Sequence, residues 1–279
     1  MKKYRLYTIL MSLIVALGGF LMGFDASVIS GVIKFVSIEF DLSPAQHGFA
    51  VASLTLTSTI AMMFAGPVSD RIGRKKVLVI AALLFFVSAV YSALSPNYIN
   101  LVIARMIGGL GVGSALIVPP MYIAEIAPPK MRGRLVSFNQ LNIVIGLSVA
   151  FFTNYLILKW GDSDGSLAQT LKIAENNWRW MLSLEAIPAI LYFGLLFLVP
   201  ESPRWLAMKG ESQKAINVLS KFEDEHKAKE QLASIHEHIK GDKGSSKLPL
   251  KELFKPAMRY VLTIGIVIGV LQQITGINA

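Results

Sequence analysis

Apolar runs about 20 residues long, enough to cross the hydrocarbon core of a bilayer as helices, recur along this chain. They fall at 8–36, 47–69, 77–95, 98–124, 136–159, 180–200 and 258–279. With 53% hydrophobic and only 16% charged residues, the 279-residue chain lacks the polar surface that a soluble domain of its length requires. Its solvent is therefore lipid, and the predicted fold class is all-α integral membrane. Six spans are complete. The seventh is still apolar where the sequence reaches Ala279, so the chain reads as truncated in transmembrane helix 7.

The net charge of +9 invites a nucleic-acid reading, but its placement argues against one. Lys2, Lys3 and Arg5 precede span 1; Arg71, Arg74, Lys75 and Lys76 follow span 2; Lys130, Arg132 and Arg134 follow span 4. The opposite side carries Lys34, Lys159, Lys172 and Arg179, so the short loops divide ten against four. Twelve further cations run from Arg204, after span 6, to Arg259 at the head of span 7. By the positive-inside rule the N-terminus and this long loop face the cytoplasm. There is no cysteine, which excludes disulfide and thiolate-metal chemistry. The first apolar run is too long for a cleaved signal peptide and is read as a retained helix.

Spans 1–3 and 4–6 form two triplets in inverted orientation, an arrangement from which many secondary transporters are built. The expected domains are a six-helix bundle over 1–203, a cytoplasmic loop with short amphipathic helices over 204–256, and the start of a second bundle over 257–279. Ala215, Ile216, Val218, Leu219 and Phe222 recur at helical spacing within the loop.

Within span 1, the stretch MGFDASVISG (22–31) places Asp25 at a depth where a carboxylate costs at least a few kcal/mol. Arg105, near the start of span 4, is the natural partner. Gly19 and Gly23 in span 1, and Gly109 and Gly113 in span 4, have the four-residue spacing that lets membrane helices approach closely. The glycine run at 108–113 lacks nucleotide-loop spacing and follows no strand. The expectation is that the two glycine faces bring span 1 to span 4. On chemistry alone, the ion pair is either a fixed structural element or a proton switch.

Gly66-Pro-Val-Ser-Asp70-Arg71-Ile-Gly73-Arg74-Lys75-Lys76 closes span 2 with an acid, a turn glycine and a basic cluster. It resembles the loop signature of the major facilitator superfamily. Pro120-Met-Tyr-Ile-Ala-Glu125, Arg132-Gly-Arg134, Asn139-Gln140, Pro200-Glu201-Ser-Pro-Arg204-Trp205 and Gln272-Gln273-Ile-Thr275-Gly276-Ile-Asn278 follow in order. Together they resemble the sugar porter family, whose full-length members fold as two six-helix bundles.

The resemblance implies substrate contacts at Gln140, Gln272, Gln273 and Asn278. Amides suit an uncharged polyol because they donate and accept hydrogen bonds without burying a charge. It also implies a cytoplasmic gating network at Asp70, Arg71, Arg74, Glu125, Arg132, Arg134, Glu201 and Arg204. Asp25 matches the proton-coupled bacterial members, such as xylose–proton symporters, and Arg105 matches their arginine partner. A second cavity glutamine of xylose porters is replaced here by Leu147, which leaves hexoses and other polyols open.

The implied function is import of a monosaccharide with protons by a bacterial inner-membrane transporter, monomeric when full length. No enzymatic activity, cofactor or metal site is expected. The alternatives are a passive facilitator of the same fold or a non-transporting membrane sugar sensor. The chain as given is expected not to transport alone. Glu185, in span 6 near Pro188, is read as structural or snorkelling. His47 is read as a solvated outer residue, and His226, His236 and His238 lack metal spacing.

Overall fold

The computed structural model describes residues 2–163, 165–244 and 256–274, and among them every regular element is an α-helix. They run as α1 (Lys2–Glu39), α2 (Pro44–Ile72), α3 (Arg74–Ala93), α4 (Tyr98–Ile126), α5 (Pro129–Gly161), α6 (Ser166–Thr170), α7 (Asn177–Ser183), α8 (Ala186–Leu196), α9 (Pro203–Met208), α10 (Ser212–Phe222), α11 (Glu225–Gly244) and α12 (Pro256–Ile274). Helices α1 to α5, and α7 with α8 taken together, give six segments long and apolar enough to cross a membrane. Inside lipid only the helix's own ladder can satisfy the backbone, which is why such runs fold this way.

Local chemistry sets the boundaries. At the start of α2 the Ser43 hydroxyl accepts from the Gln46 amide while the Gln46 side chain accepts from Ser43 N, a reciprocal cap followed by Pro44 at the first helical position. Gly73 makes the sharp turn between α2 and α3 at φ 104°, a conformation that L side chains rarely adopt. Span 6 is not continuous. Pro188 has no N–H for the Leu184 carbonyl, which accepts instead from Ile187 N at 3.2 Å, and the helix breaks at Leu184 and Glu185.

Two compact units divide at Leu232. In the first, α1 packs most extensively on α5, and α4 lies against α2 and α3. Glycines make these crossings tight, but not between the helices the spacing suggested. Gly19 and Gly23 lie against Asn139 and Ile143 of α5, and Gly109 and Gly113 lie against Leu54, Thr57 and Ser58 of α2. Each glycine face thus admits a third helix rather than the other's. Four-residue glycine spacing marks a thin face and does not name the neighbour.

The buried apolar residues form two clusters along the bundle. One contains Met11, Leu21, Phe85, Val112, Tyr122, Ala189 and Leu196. The other contains Phe24, Val28, Ala93, Leu101, Trp178 and Leu182. Ser88, Arg105 and Glu185 fall in sequence where their helices pass from one cluster to the other, and Asp25 directly follows the first α1 residue of the second cluster. A polar layer therefore separates two apolar cores. The amphipathic α10 belongs to this unit: Ala215, Leu219 and Phe222 are buried, and the Phe222 ring lies 5.1 Å from that of Tyr7. In the second unit, α12 is apolar and largely exposed.

Candidate functional site: a buried ion pair and a charge network

Asp25 and Arg105 are 0% and 1% exposed. Arg105 Nη1 donates to Asp25 Oδ1, and Nη2 donates to the Asp25 main-chain carbonyl at 3.0 Å. The pairing drawn from sequence is present, although it is α4's Gly108, not the glycine pairs, that makes room for it. A Cβ on Gly108 would sit 2.8 Å from Asp25 Oδ2 and 2.5 Å from Ser88 Oγ. The Ser88 hydroxyl donates to the Ala104 carbonyl at 2.8 Å. Asp25 Oδ2 and Arg105 Nε are buried without a hydrogen-bond partner. The pair is therefore held but not saturated.

Of the two roles read for Glu185 from sequence, structural or snorkelling, burial removes the second. The residue is 1% exposed, with Oε1 buried and unpartnered, and it interacts electrostatically with both Asp25 and Arg105. A snorkelling carboxylate would reach water; this one does not. The signal in the sequence was the coincidence of a carboxylate with Pro188, whose break in the helix sets Glu185 at the seam.

At the end of the bundle that carries the N-terminus, Arg74 organises a second polar site while only 2% exposed. Its guanidinium meets Asp70 at 2.8 Å and Glu125 at 3.0 Å, and donates to the Ser69 carbonyl at 3.1 Å. Glu201 Oε1 accepts from the backbone N–H groups of Arg74 at 3.0 Å, Lys75 at 3.1 Å and Ser202 at 2.8 Å. Ser202 caps α9 by accepting from Trp205 N, and its own hydroxyl donates to Glu125 at 2.5 Å. The Trp205 indole donates to the Asp70 carbonyl at 3.0 Å. A side chain on Gly73 would collide with the Glu201 carboxylate, so the turn glycine also admits this cap.

Four of the eight network residues, Asp70, Arg74, Glu125 and Glu201, are thus brought together. Arg71, Arg132 and Arg134 are exposed and make no ion pair among the described residues, and Arg204 is exposed at the start of α9. Gln140 is exposed on α5, as is Leu147 two turns on, while the neighbouring Asn139 is buried against α1. Gln272 and Gln273 lie in the last turn of α12, and Asn278 lies outside the described residues. At the opposite end, His47 Nδ1 lies 3.0 Å from the Ser37 hydroxyl. Among the described residues no group of acidic, histidine or cysteine side chains has the geometry to hold a metal.

Residues 11–279 match the profile of the family described as sugar (and other) transporter. The arabinose-proton symporter of Bacillus subtilis is 40% identical over 273 residues, which is 98% of this chain and 57% of that protein. The D-xylose-proton symporter of Escherichia coli is 36% identical over 299 aligned residues, 98% of this chain and 58% of that protein. Among solved structures, the partially occluded inward-open xylose transporter of Escherichia coli superposes with a TM-score of 0.82 at 35% identity, covering 98% of this chain and 65% of that one. The chain spans a little over half the length of the curated relatives it matches.

Proposed function

The chain belongs to the sugar transporter family and has the major facilitator fold, and on that premise we propose that the full-length protein imports a monosaccharide together with protons by alternating access. The observation that carries this reading is the buried pair of Asp25 and Arg105 with one carboxylate oxygen unpartnered. A fixed structural pair gains most from saturating its hydrogen bonds, because an unsatisfied buried polar atom costs about 1–3 kcal/mol. A proton carrier needs an oxygen left open. Asp25 is the carrier in this proposal, and Arg105 sets how readily it loads.

Gln140, Gln272, Gln273 and Asn278 contact the sugar. The exposed aliphatic Leu147 beside Gln140 admits a hexose or another polyol as readily as a pentose. Asp70, Arg74, Glu125 and Glu201, with Arg71, Arg132, Arg134 and Arg204, gate the cytoplasmic side of a bacterial inner membrane. The exposed Arg71, Arg132 and Arg134 meet the second half of the full-length protein, with contacts that part when the site opens inward.

The test is sugar-driven proton movement in proteoliposomes of the full-length protein. Internal acidification on addition of a transported pentose, hexose or inositol is the expected result. Sugar flux without proton movement would identify a facilitator, and sugar binding without flux would identify a sensor.

A further inference from the structure

A groove of about 780 Å³ opens where α3, α8, α9 and α10 converge, on residues that, Glu201 apart, the transport reading leaves without a role. Its place is at the rim of the membrane-length segments. Lys75 and Lys76 begin the span Arg74–Ala93, and Phe197 follows the span ending at Leu196. Its two ends differ in chemistry. Val79 and Ile80 lie one helical turn, about 6 Å, further into the membrane than Lys75 and Lys76. Ile80 and Phe197 are 46% and 60% exposed, so an apolar wall faces outward below a cluster of ammonium groups.

The charges at the rim leave cationic capacity. Glu201, which also lines the groove, turns its Oε1 to three backbone N–H groups. Glu211 pairs with Lys214 at 2.9 Å, and Lys75 Nζ donates to the Phe197 carbonyl at 3.0 Å. Lys76 is exposed and has no ion pair among the described residues. Three ammonium groups thus stand against two carboxylates, one of which is already committed to the backbone.

We propose that this groove holds an anionic phospholipid of the leaflet on the N-terminal side, its phosphate between Lys76 and Lys214 and its acyl chains along Ile80 and Phe197. A soluble anion has no use for the apolar wall, and a zwitterionic headgroup carries its own cation to the lysines. Basic pockets between membrane helices on this side are suited to anionic headgroups. The inference requires only membrane insertion and stands whether or not Asp25 couples transport to protons.

Native mass spectrometry of the full-length protein in detergent, titrated with phosphatidylglycerol or phosphatidylcholine, tests it. The wild type is expected to retain phosphatidylglycerol preferentially. Lys76→Gln with Lys214→Gln should weaken that binding roughly ten- to thirtyfold, for two surface lysines, and leave phosphatidylcholine unchanged. Lys75 is kept because it caps Phe197. Ile80→Trp, which narrows the apolar wall without touching a charge, should weaken phosphatidylglycerol as well, with the melting temperature in phosphatidylcholine reporting that both variants fold. Equal binding of the two lipids, undiminished phosphatidylglycerol binding in either folded variant, or equally tight binding of glycerol phosphate without acyl chains would overturn the proposal.

Discussion

Arg105 holds Asp25 in two ways at once, with Nη1 on the carboxylate and Nη2 on the main-chain carbonyl of the same residue. The second bond does not depend on the charge of the side chain. Protonating Asp25, or replacing it with Asn, leaves the arginine anchored to the backbone of α1. This geometry lets the charge of Asp25 change without loss of the helix contact.

Asp25→Asn should leave the full-length protein folded and able to exchange labelled for unlabelled sugar across the membrane. It should abolish accumulation of sugar against its gradient. Counterflow and accumulation measured in the same proteoliposomes decide the matter. Accumulation that persists in the variant would remove Asp25 from the coupling role.

Arg105→Met, in contrast, strands a buried carboxylate. Breaking a buried pair from one side costs about 3–5 kcal/mol, much more than removing both partners. The double variant Asp25→Asn with Arg105→Met should therefore be more stable than Arg105→Met alone. Thermal unfolding in detergent, with the four proteins compared as a cycle, reads this directly. If the double variant is the less stable, the carboxylate is not stranded by loss of the arginine.

Gly108 and Gly109 are neighbours on α4 whose added methyl groups would meet different partners. At Gly108 the methyl would press on Asp25 Oδ2 and Ser88 Oγ, and at Gly109 on Thr57 and Leu54 of α2. Both Ala variants should lose about 1–3 kcal/mol through overpacking. Only Gly108→Ala should also move the pH profile of sugar uptake, because only there does the methyl displace the Asp25 carboxylate. Removing the Ser88 hydroxyl from that variant should not restore the profile, since the contact with Asp25 remains.

Much of this architecture was readable from residues. The apolar runs located the helices, and motifs up to 131 residues apart, from Asp70 to Glu201, converged on one network around Arg74. The helix neighbours were not readable. The exposed face of α5, where Val144, Leu147 and Phe151 line up with Gln140, is as apolar as a buried one, so apolar patterning alone does not say which side of a membrane helix packs on its neighbours. Gly23 consequently signalled close approach but not that α5 was the partner. Span 6 read as continuous because Pro188 is tolerated within membrane helices, and only the geometry shows the break that buries Glu185. Trp205 and Ser202 belonged to a recognised string, yet their bonds to Asp70 and Glu125 depend on the fold.

Another assembly that the sequence did not announce ties together the ends of α1, α3 and α7 away from the N-terminus. Arg179 donates to the Ala93 and Ser95 carbonyls at 3.1 and 2.7 Å, meets Glu39 at 2.8 Å, and stacks 4.1 Å from the Trp178 ring. The Trp178 indole in turn donates to the second Glu39 oxygen at 2.6 Å. Glu39 thus accepts from two residues of α7 while Arg179 reaches back to the end of α3. Arg179→Ala leaves those two carbonyls and the carboxylate without their donor, whereas Glu39→Gln keeps an acceptor for either Arg179 or Trp178. The arginine variant should therefore lose more stability. The Glu39→Gln loss should be about 1 kcal/mol or less, because Glu39 is partly solvated and its ion pair is screened. Melting curves of the full-length protein, repeated at high salt, would show it: salt should narrow the difference between wild type and Glu39→Gln while leaving most of the Arg179→Ala loss, which comes from carbonyls rather than from the charge.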